Sequence, residues 1–180
     1  MAASIEQVNM TEGALLPKVL RFSLPLAATG VLQLLFNAAD VIVVGKFAGA
    51  TALAAVGATT ALINLLVNAF MGISVGVNIL VARYLGCRED ERVRACVHTA
   101  FALSLLLGLV VMVVGLTLST PMLELMGTPD DVLRLARLYL RIYFIGFPGA
   151  LIYNFAAAIL RAYGDTKRPL AYLTAAGILN

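Results

Sequence analysis

The chain has 180 residues, of which 61% are hydrophobic and 13% are charged, and its mean hydropathy is +0.94. Soluble domains are about 45–50% apolar and about 25% charged, so this composition excludes an ordinary water-soluble enzyme. It also excludes a disordered chain, which would be poor in hydrophobic residues and rich in charge. The composition therefore predicts an all-α integral membrane protein.

Charged residues fall in clusters, and the apolar runs between them define the predicted helices. We expect helices near 19–44, 53–82, 95–119 and 138–160, followed by an incomplete fifth helix over 169–180. A bilayer crossing needs about 20 residues, and each of the first four runs reaches that length. The fifth run would rise only about 18 Å, short of a hydrocarbon core of roughly 30 Å, so the sequence is expected to end inside the membrane. The runs are continuous rather than alternating, which favours helices over a β-barrel.

Helix-breaking residues punctuate the predicted loops. They are Gly45 and Gly49 in the first loop, Gly86 in the second, Pro121, Gly127 and Pro129 in the third, and Gly164 in the fourth. Two prolines fall inside predicted helices instead, Pro25 in the first and Pro148 in the fourth, and each is predicted to be either a hinge or a plain kink. Gly72 and Gly76 form a small-xxx-small pattern that permits close helix packing.

Lysine and arginine are unevenly divided between the two sides of the predicted membrane. Nine share a side with the N-terminus, and they are Lys18, Arg21, Arg83, Arg88, Arg92, Arg94, Arg161, Lys167 and Arg168. Four belong to the opposite side, and they are Lys46, Arg134, Arg137 and Arg141. Positive residues accumulate on the cytoplasmic side, so we expect a multi-pass protein of the plasma or inner membrane with a cytoplasmic N-terminus. The basic residues do not form one solvated face, so no nucleic-acid partner is expected.

Polar residues inside the predicted helices form three stripes at helical spacing. The first helix carries Gly30, Gln33, Asn37 and Asp40, the second carries Asn64, Asn68, Met71, Val75 and Asn78, and the fourth carries Tyr139, Tyr143, Gly146, Ala150 and Tyr153, with Asn154 beside them. Three such stripes predict one shared interior cavity. The pocket candidates are Gln33, Asn37, Asn64, Asn68 and Tyr143. The alternative is that the amides bond neighbouring helices as structural glue.

Asp40 is the residue most expected to carry function. An ionised carboxylate is expensive in lipid, so intramembrane acids usually face a cavity and serve ions, protons or substrates. Burial favours the protonated form and a bound cation favours the ionised form, so protonation and cation binding would compete at this site. Lys46 lies six residues further on, about 9 Å along a helix. The alternative interpretation is that Asp40 lies near the outer membrane interface and pairs with Lys46 or with water.

Several segments resemble the multidrug and toxic compound extrusion (MATE) family. The segments NAAD at 37–40, VGK at 44–46 and ALAAVG at 52–57 look like the first hairpin of that family. LRAYGDTKRP at 160–169 looks like the family's loop after the fourth helix, and GILN at 177–180 is similar to the start of its fifth-helix motif. The order and spacing of these segments extend the resemblance over nearly the whole chain.

The resemblance implies a secondary antiporter that exports cationic or amphipathic compounds against inward Na⁺ or H⁺ flow, with no other cofactor. Family members have twelve helices in two six-helix lobes, so this chain would be most of the first lobe. It would be inactive without the missing carboxy-terminal lobe or a second chain. The family's first-helix aspartate matches Asp40 and its fifth-helix asparagine matches Asn180, so these two would hold Na⁺ in a sodium-coupled protein. Tyr139 and Asn154 match fourth-helix polar positions near that site, and Pro25 matches a first-helix proline.

Two other functions stay open at this point. A lipid or lipid-linked oligosaccharide flippase of the wider superfamily would share the fold, but its cavity is expected to carry several basic residues for phosphate. A non-transporting assembly subunit would use the stripes as helix glue and would not need Asp40. An enzyme is not expected, because the sequence shows no histidine cluster, no paired in-membrane carboxylates and no nucleophile–base pair.

Overall fold

The computed structural model describes residues 15–179, so Asn180, a predicted cation ligand, lies outside the described residues. The elements are α1 (Leu15–Val43), a π-helical turn (Val44–Ala48), α2 (Gly49–Gly86), α3 (Asp90–Leu125), α4 (Asp130–Ala162) and α5 (Lys167–Leu179). The predicted all-helical fold is confirmed.

The chain reverses direction at the π-helical turn between α1 and α2. Gly49 ends this turn with a φ of 86°, a value that glycine adopts without a steric penalty. Gln33 and Met71 line the same two cavities, which places the middle of α1 beside the second half of α2. The two helices are therefore antiparallel.

By length and composition alone, three continuous helical segments could cross a membrane, Leu16–Gly86, Asp90–Leu125 and Asp130–Ala162. The first has 71 residues, because it includes α1, the π-helical turn and α2. At 1.5 Å per residue a straight rod of that length would measure about 105 Å, more than three times the hydrocarbon core. A segment folded back at Gly49 fits a bilayer, whereas the straight rod does not.

The helices continue beyond the charge-free runs that predicted them. Helix α3 begins at Asp90 and ends at Leu125, so it contains Pro121, and the prediction that Pro121 lies in a loop is wrong. A run without charge marks the part of a helix suited to hydrocarbon, and the helix can extend into the polar layer on either side. Asp130 and Asp131, in the first turn of α4, also favour this extension, because acidic residues interact well with a helix N-terminus.

Helix α4 lies at the centre of the core, packed against both α2 and α3. One buried cluster consists of Val77, Val81, Val93, Ala100, Phe147, Leu151, Phe155 and Ile159. A second consists of Ala55, Leu62, Leu123, Val132, Ala136, Leu140 and Phe144. Both clusters combine residues of α2, α3 and α4, so these three helices form one packed unit, which we call the α2–α4 unit.

Small residues on α3 allow its close approach to α4. A Cβ atom added to Gly108 would lie 2.7 Å from the Cα of Pro148, and one added to Gly115 would overlap the buried ring of Phe144. By contrast, Cβ atoms at Gly72 and Gly76 would meet nothing within 4 Å. The close packing that this pattern permits is therefore not used among residues 15–179, where the tight interface is on α3.

Helix α1 is attached more loosely. It contacts α5 and the π-helical turn, and no residue of α1 from Leu16 to Val43 is fully buried. Its contact with α5 is close at one point, where a Cβ added to Gly177 would overlap the ring of Phe36. Helix α1 therefore stands beside the α2–α4 unit with a cavity between them.

Candidate functional site

A cavity of about 880 Å³ lies between α1, α2 and α4, with Leu173 of α5 at one edge. Residues of all three predicted stripes line this cavity, which we call the polar cavity. Its polar lining consists of Gln33, Asn37, Asp40, Thr60, Asn64, Asn68, Tyr139 and Tyr143. All five pocket candidates therefore share it with Asp40 and Tyr139.

Asp40 contributes the only formal charge among the described residues that line the polar cavity. It lies three residues before the end of α1, on the same helix face as Asn37 and Gln33. Tyr139 of α4 lines the same cavity. The ammonium group of Lys46 lies 5.8 Å from the ring centroid of Phe47, in the π-helical turn. The polar cavity thus combines one carboxylate with neutral amide and hydroxyl groups.

The asparagines of α2 fall into two groups. Asn68 donates its Nδ2 hydrogen to the carbonyl of Asn64 at 2.8 Å, within its own helix, and both residues line the polar cavity. Asn78 donates its Nδ2 hydrogen to the carbonyl of Ala158 at 2.7 Å, so it joins α2 to α4. Structural glue therefore describes Asn78, which does not line the polar cavity, whereas Asn64 and Asn68 contribute to its wall.

The predicted stripe on α4 divides between two cavities. Tyr139 and Tyr143 line the polar cavity. Tyr153 and Asn154 line a second cavity of about 40 Å³, where the Tyr153 hydroxyl donates to the carbonyl of Pro169 at 3.0 Å. Asn154, the predicted fourth-helix ligand, donates its Nδ2 hydrogen to the carbonyl of Ala150 at 3.0 Å. The structure thus places Tyr139 in the polar cavity with Asp40, and Asn154 in the smaller cavity.

Sequence reasoning missed several residues of these cavities. Thr60 lies one helical turn before Asn64 and would have been found by extending that stripe by four residues. Thr29, Arg161 and Thr166 line the smaller cavity. From the sequence, Arg161 was counted only among the basic loop residues. In the structure it is half-buried in the last turn of α4, where its Nε donates to the carbonyl of Ala157 at 3.0 Å.

The two cavities adjoin, because Gln33 and Met71 line both of them. A volume of about 40 Å³ is enough for a water molecule between polar partners. The polar lining therefore runs from Asp40 past Gln33 to Arg161, at the end of α4 next to the α4–α5 loop.

The loop between α4 and α5 is fixed by a buried carboxylate. Asp165 is only 3% exposed, and its Oδ1 accepts hydrogen bonds from the backbone N–H groups of Lys167 and Arg168, each at 3.1 Å. Its Oδ2 lies 3.2 Å from Nε of Arg168. These contacts make Asp165 the N-terminal cap of α5.

The two prolines in the helices have different surroundings. Pro25 is half-buried in α1, and its carbonyl accepts a hydrogen bond from the Thr29 hydroxyl at 2.8 Å. Pro148 lies in α4 against Gly108 of the tight α3–α4 interface. Pro25 is therefore placed in the loosely held helix and Pro148 in the packed unit.

The chemistry of the polar cavity suits cations. Within residues 15–179, no group of three or more His, Cys, Asp or Glu side chains could hold a metal ion. The cavity instead offers carboxylate, amide and hydroxyl oxygens, which are hard ligands for small cations. Tyr139 and Tyr143 add aromatic faces, which attract organic cations.

Long apolar helices around a polar cavity are typical of a multi-pass membrane protein. The sequence model of the MatE family matches residues 25–180, and the chain belongs to that family. The predicted family is therefore confirmed.

Curated and solved relatives agree with this assignment. The chain is 34% identical to "Probable multidrug resistance protein YoeA" of Bacillus subtilis (strain 168), over 88% of this chain and 34% of that protein. A crystal structure of MATE in the bent conformation aligns with a TM-score of 0.84 and 28% identity, over 91% of this chain and 36% of that one. A MOP superfamily transporter from Pyrococcus furiosus, described as having a binding pocket of reversed polarity, aligns with a TM-score of 0.83 and 28% identity, over 89% and 35%. The chain spans about a third of the length of these relatives.

Proposed function

We propose that this chain forms part of a secondary antiporter that exports cationic or amphipathic compounds in exchange for Na⁺ or H⁺. The observation that carries the proposal is the polar cavity, whose only charged lining residue among those described is the acid Asp40. A lone carboxylate within a membrane-spanning helix attracts cations and usually serves ions, protons or substrates. Cationic substrate, coupling ion and proton would therefore compete for one group.

We propose that Asp40 is the coupling carboxylate and that Tyr139 helps to position the ion there. Gln33, Asn37, Asn64, Asn68 and Tyr143 would provide the remaining polar contacts for the substrate. Asn154 and Asn180 stay predicted ligands, the first in the adjoining small cavity and the second outside the described residues. In the sodium-coupled case, oxygen atoms of Asp40 and Asn180 would bind the Na⁺.

The membrane arrangement is part of the proposal. Leu16–Gly86 would cross the bilayer twice, turning at Gly49, while α3 and α4 each cross once. Together with an incomplete crossing by α5, this gives four complete helices and part of a fifth. The division of basic residues, nine against four, supports a cytoplasmic N-terminus.

Export would also require a second lobe, supplied by the same protein or by another chain. Transporters that move substrate by alternating access bind it between two bundles that rock against each other. The polar cavity is walled by helices of one bundle only, and α1 leaves most of its surface exposed. We therefore propose that the 180-residue chain does not transport on its own.

The cavity chemistry distinguishes this proposal from a flippase. A phosphate-bearing lipid would be bound by basic side chains, and the described lining of the polar cavity contains none. An assembly subunit would need its asparagines as helix glue, and among the α2 asparagines this describes Asn78 alone.

The test is the substitution Asp40→Asn in the complete transporter that contains this chain. The expected result is loss of at least about ten-fold in efflux of a cationic dye such as ethidium from a drug-sensitive host, since the side chain keeps its size but loses its charge. Driving efflux with a Na⁺ gradient at constant pH, or with a pH gradient without Na⁺, identifies the coupling ion.

The matched control is Asp130→Asn, the same chemical change at an exposed position outside the polar cavity. This control should leave efflux unchanged. The variant Asp40→Glu should retain part of the efflux activity, because it keeps a carboxylate. Undiminished ion-driven efflux by Asp40→Asn, at a normal level of the protein in the membrane, would refute the proposal.

A further inference from the structure

Three arginines lie on the face of α4 that points away from the core. Arg134, Arg137 and Arg141 are separated by three and four residues, so they share one side of the helix. The buried residues Val132 and Ala136 lie on the opposite side at about 100° per residue. We call the three arginines the arginine face.

The arginine face forms an open surface of its own, which is distinct from the polar cavity. The other residues that line it are Asp131, Leu135 and Leu138, all from α4. Three arginines against one aspartate leave this surface with a net positive charge. It therefore favours an anionic partner.

Arg141 shows that the arginine face is incomplete within the described chain. The residue is half-buried, and its Nε atom is shielded from water but has no hydrogen-bond acceptor among residues 15–179. A buried charged donor without an acceptor is unfavourable. A partner that brings anionic oxygen atoms to this position would remove the penalty.

Exposed aliphatic side chains lie next to the arginines and further along α4. Leu138 is 56% exposed, and Ile142 and Ile145 are each 61% exposed. In a helix that crosses a membrane, such side chains contact lipid tails. The surface thus has basic groups near the start of α4 and apolar groups deeper in the membrane, the same order as the parts of a phospholipid.

We propose that the arginine face binds the phosphate headgroup of an anionic phospholipid, whose acyl chains pack along Leu138, Ile142 and Ile145. The planar guanidinium group suits this role because it binds phosphate oxygens in pairs, and basic pockets at helix ends attract anionic headgroups. The bound lipid would supply the acceptor that Arg141 lacks. It would lie on the far side of α4 from Tyr139 and Tyr143, which line the polar cavity.

The experiment measures lipid preference of the purified chain by native mass spectrometry. The chain is released from micelles containing equal amounts of dioleoylphosphatidylglycerol and dioleoylphosphatidylcholine, and the ratio of bound lipids is recorded. The unchanged chain should retain phosphatidylglycerol preferentially. Arg137→Gln combined with Arg141→Gln should reduce that preference by about five-fold for each arginine removed.

The matched control combines Arg83→Gln with Arg94→Gln, two exposed arginines outside the arginine face. It removes the same charge and should change the preference by less than about two-fold. The pair Arg137→Lys and Arg141→Lys should give an intermediate preference, since lysine keeps the charge but not the paired hydrogen bonds. Circular dichroism of each variant establishes that the helices are intact.

Three outcomes would overturn the proposal. One is no preference for phosphatidylglycerol in the unchanged chain. Another is an equal loss in the control pair, which would mean that the arginines only reach towards the headgroup layer without selecting a lipid. The third is soluble glycerol 3-phosphate binding as tightly as the lipid, which would make the site one for a free phosphate ester.

Discussion

The two walls of the polar cavity are built in different ways. The α2–α4 unit is interlocked through two buried clusters and through glycines that admit Pro148 and Phe144. Helix α1, which carries Asp40, has no fully buried residue between Leu16 and Val43 and contacts α5 and the π-helical turn. The carboxylate expected to bind the ion is thus on the loose wall, together with Gln33 and Asn37, and the remaining neutral polar groups are on the rigid wall.

This difference has a mechanistic meaning. A conformational change needs a part that moves against a part that keeps its shape, and elements with few buried contacts have low local stability. A cation bound between Asp40 and Tyr139 would hold the loose wall against the rigid one. Four experiments break or sharpen this comparison, from the largest expected effect to the smallest.

The largest effect is expected at the tight α3–α4 interface. Gly115→Ala would force a methyl group into the ring of Phe144, and Gly108→Ala would place one 2.7 Å from the backbone of Pro148. Overpacking of this kind destabilises by about 1–3 kcal/mol. Thermal unfolding in detergent measures the loss. Gly72→Ala, where a Cβ meets nothing, is the control and should be neutral or slightly stabilising. Equal midpoints for all three variants would disprove the rigid wall.

The second effect concerns the cap that anchors α5, and through α5 the loose helix α1. Asp165→Ala removes the acceptor for two backbone N–H groups and the partner of Arg168. A lost N-cap costs about 0.5–2 kcal/mol, and the half-exposed Arg168 adds little. Hydrogen exchange should show faster exchange in α1 and α5 than in the α2–α4 unit.

Asp165→Asn keeps a capping oxygen and should therefore lose less stability than Asp165→Ala. Asp130→Ala, an exposed acid in the first turn of α4, serves as the control for charge alone. If exchange quickened uniformly through all helices, α1 and α5 would not be a separately anchored part.

The third effect separates helix glue from cavity lining within a single helix. Asn78→Ala removes the bond to Ala158 of α4 and should destabilise by about 0.6–1.7 kcal/mol, the range for bonds between membrane helices. Asn68→Ala removes only a bond to its own helix, so stability should stay within about 0.5 kcal/mol, while ethidium binding weakens. Binding is followed by dye fluorescence. Normal ethidium binding by the Asn68 variant would remove Asn68 from the site.

The smallest change in stability is expected for Pro25→Ala in α1. The substitution restores a backbone N–H in a helix that has few packing contacts, so unfolding should shift by less than about 1 kcal/mol. If Pro25 is a hinge, Pro25→Ala should lower efflux by the complete transporter although its stability hardly changes. Ser23→Ala, an exposed neighbour on the same helix, should alter neither quantity. Unchanged efflux by Pro25→Ala would identify a plain kink.

The sequence predicted the α1 stripe best, since Gly30, Gln33, Asn37 and Asp40 all line the polar cavity. Spacing at helical periodicity is sufficient there because the stripe is short. On α4 the stripe from Tyr139 to Tyr153 rises about 21 Å, and it leaves the polar cavity after Tyr143. Helical periodicity predicts which face of a helix lines a cavity, but it does not predict how far along the helix the cavity extends.

The sequence also did not predict which glycines would make the close contacts between helices. The small-xxx-small pattern occurs at Gly72 and Gly76 and again on α3, where Ser104 precedes Gly108 and Ser119 follows Gly115 by four residues, yet only the α3 glycines make the close contact. Which glycine is needed depends on which bulky side chain crosses it from the facing helix. The angle and position at which two helices cross decide which side chains meet, and the sequence of a single helix does not specify them.

The contact between Phe36 and Gly177 has a consequence for synthesis. These residues are 141 positions apart in the chain, so at about 5–20 residues per second the second is made roughly 7–30 seconds after the first. The α2–α4 unit can assemble from neighbouring helices during that interval, while α1 waits for α5. Among α1 to α4, the helix that carries the acid is therefore expected to dock last, onto helices that have already packed together.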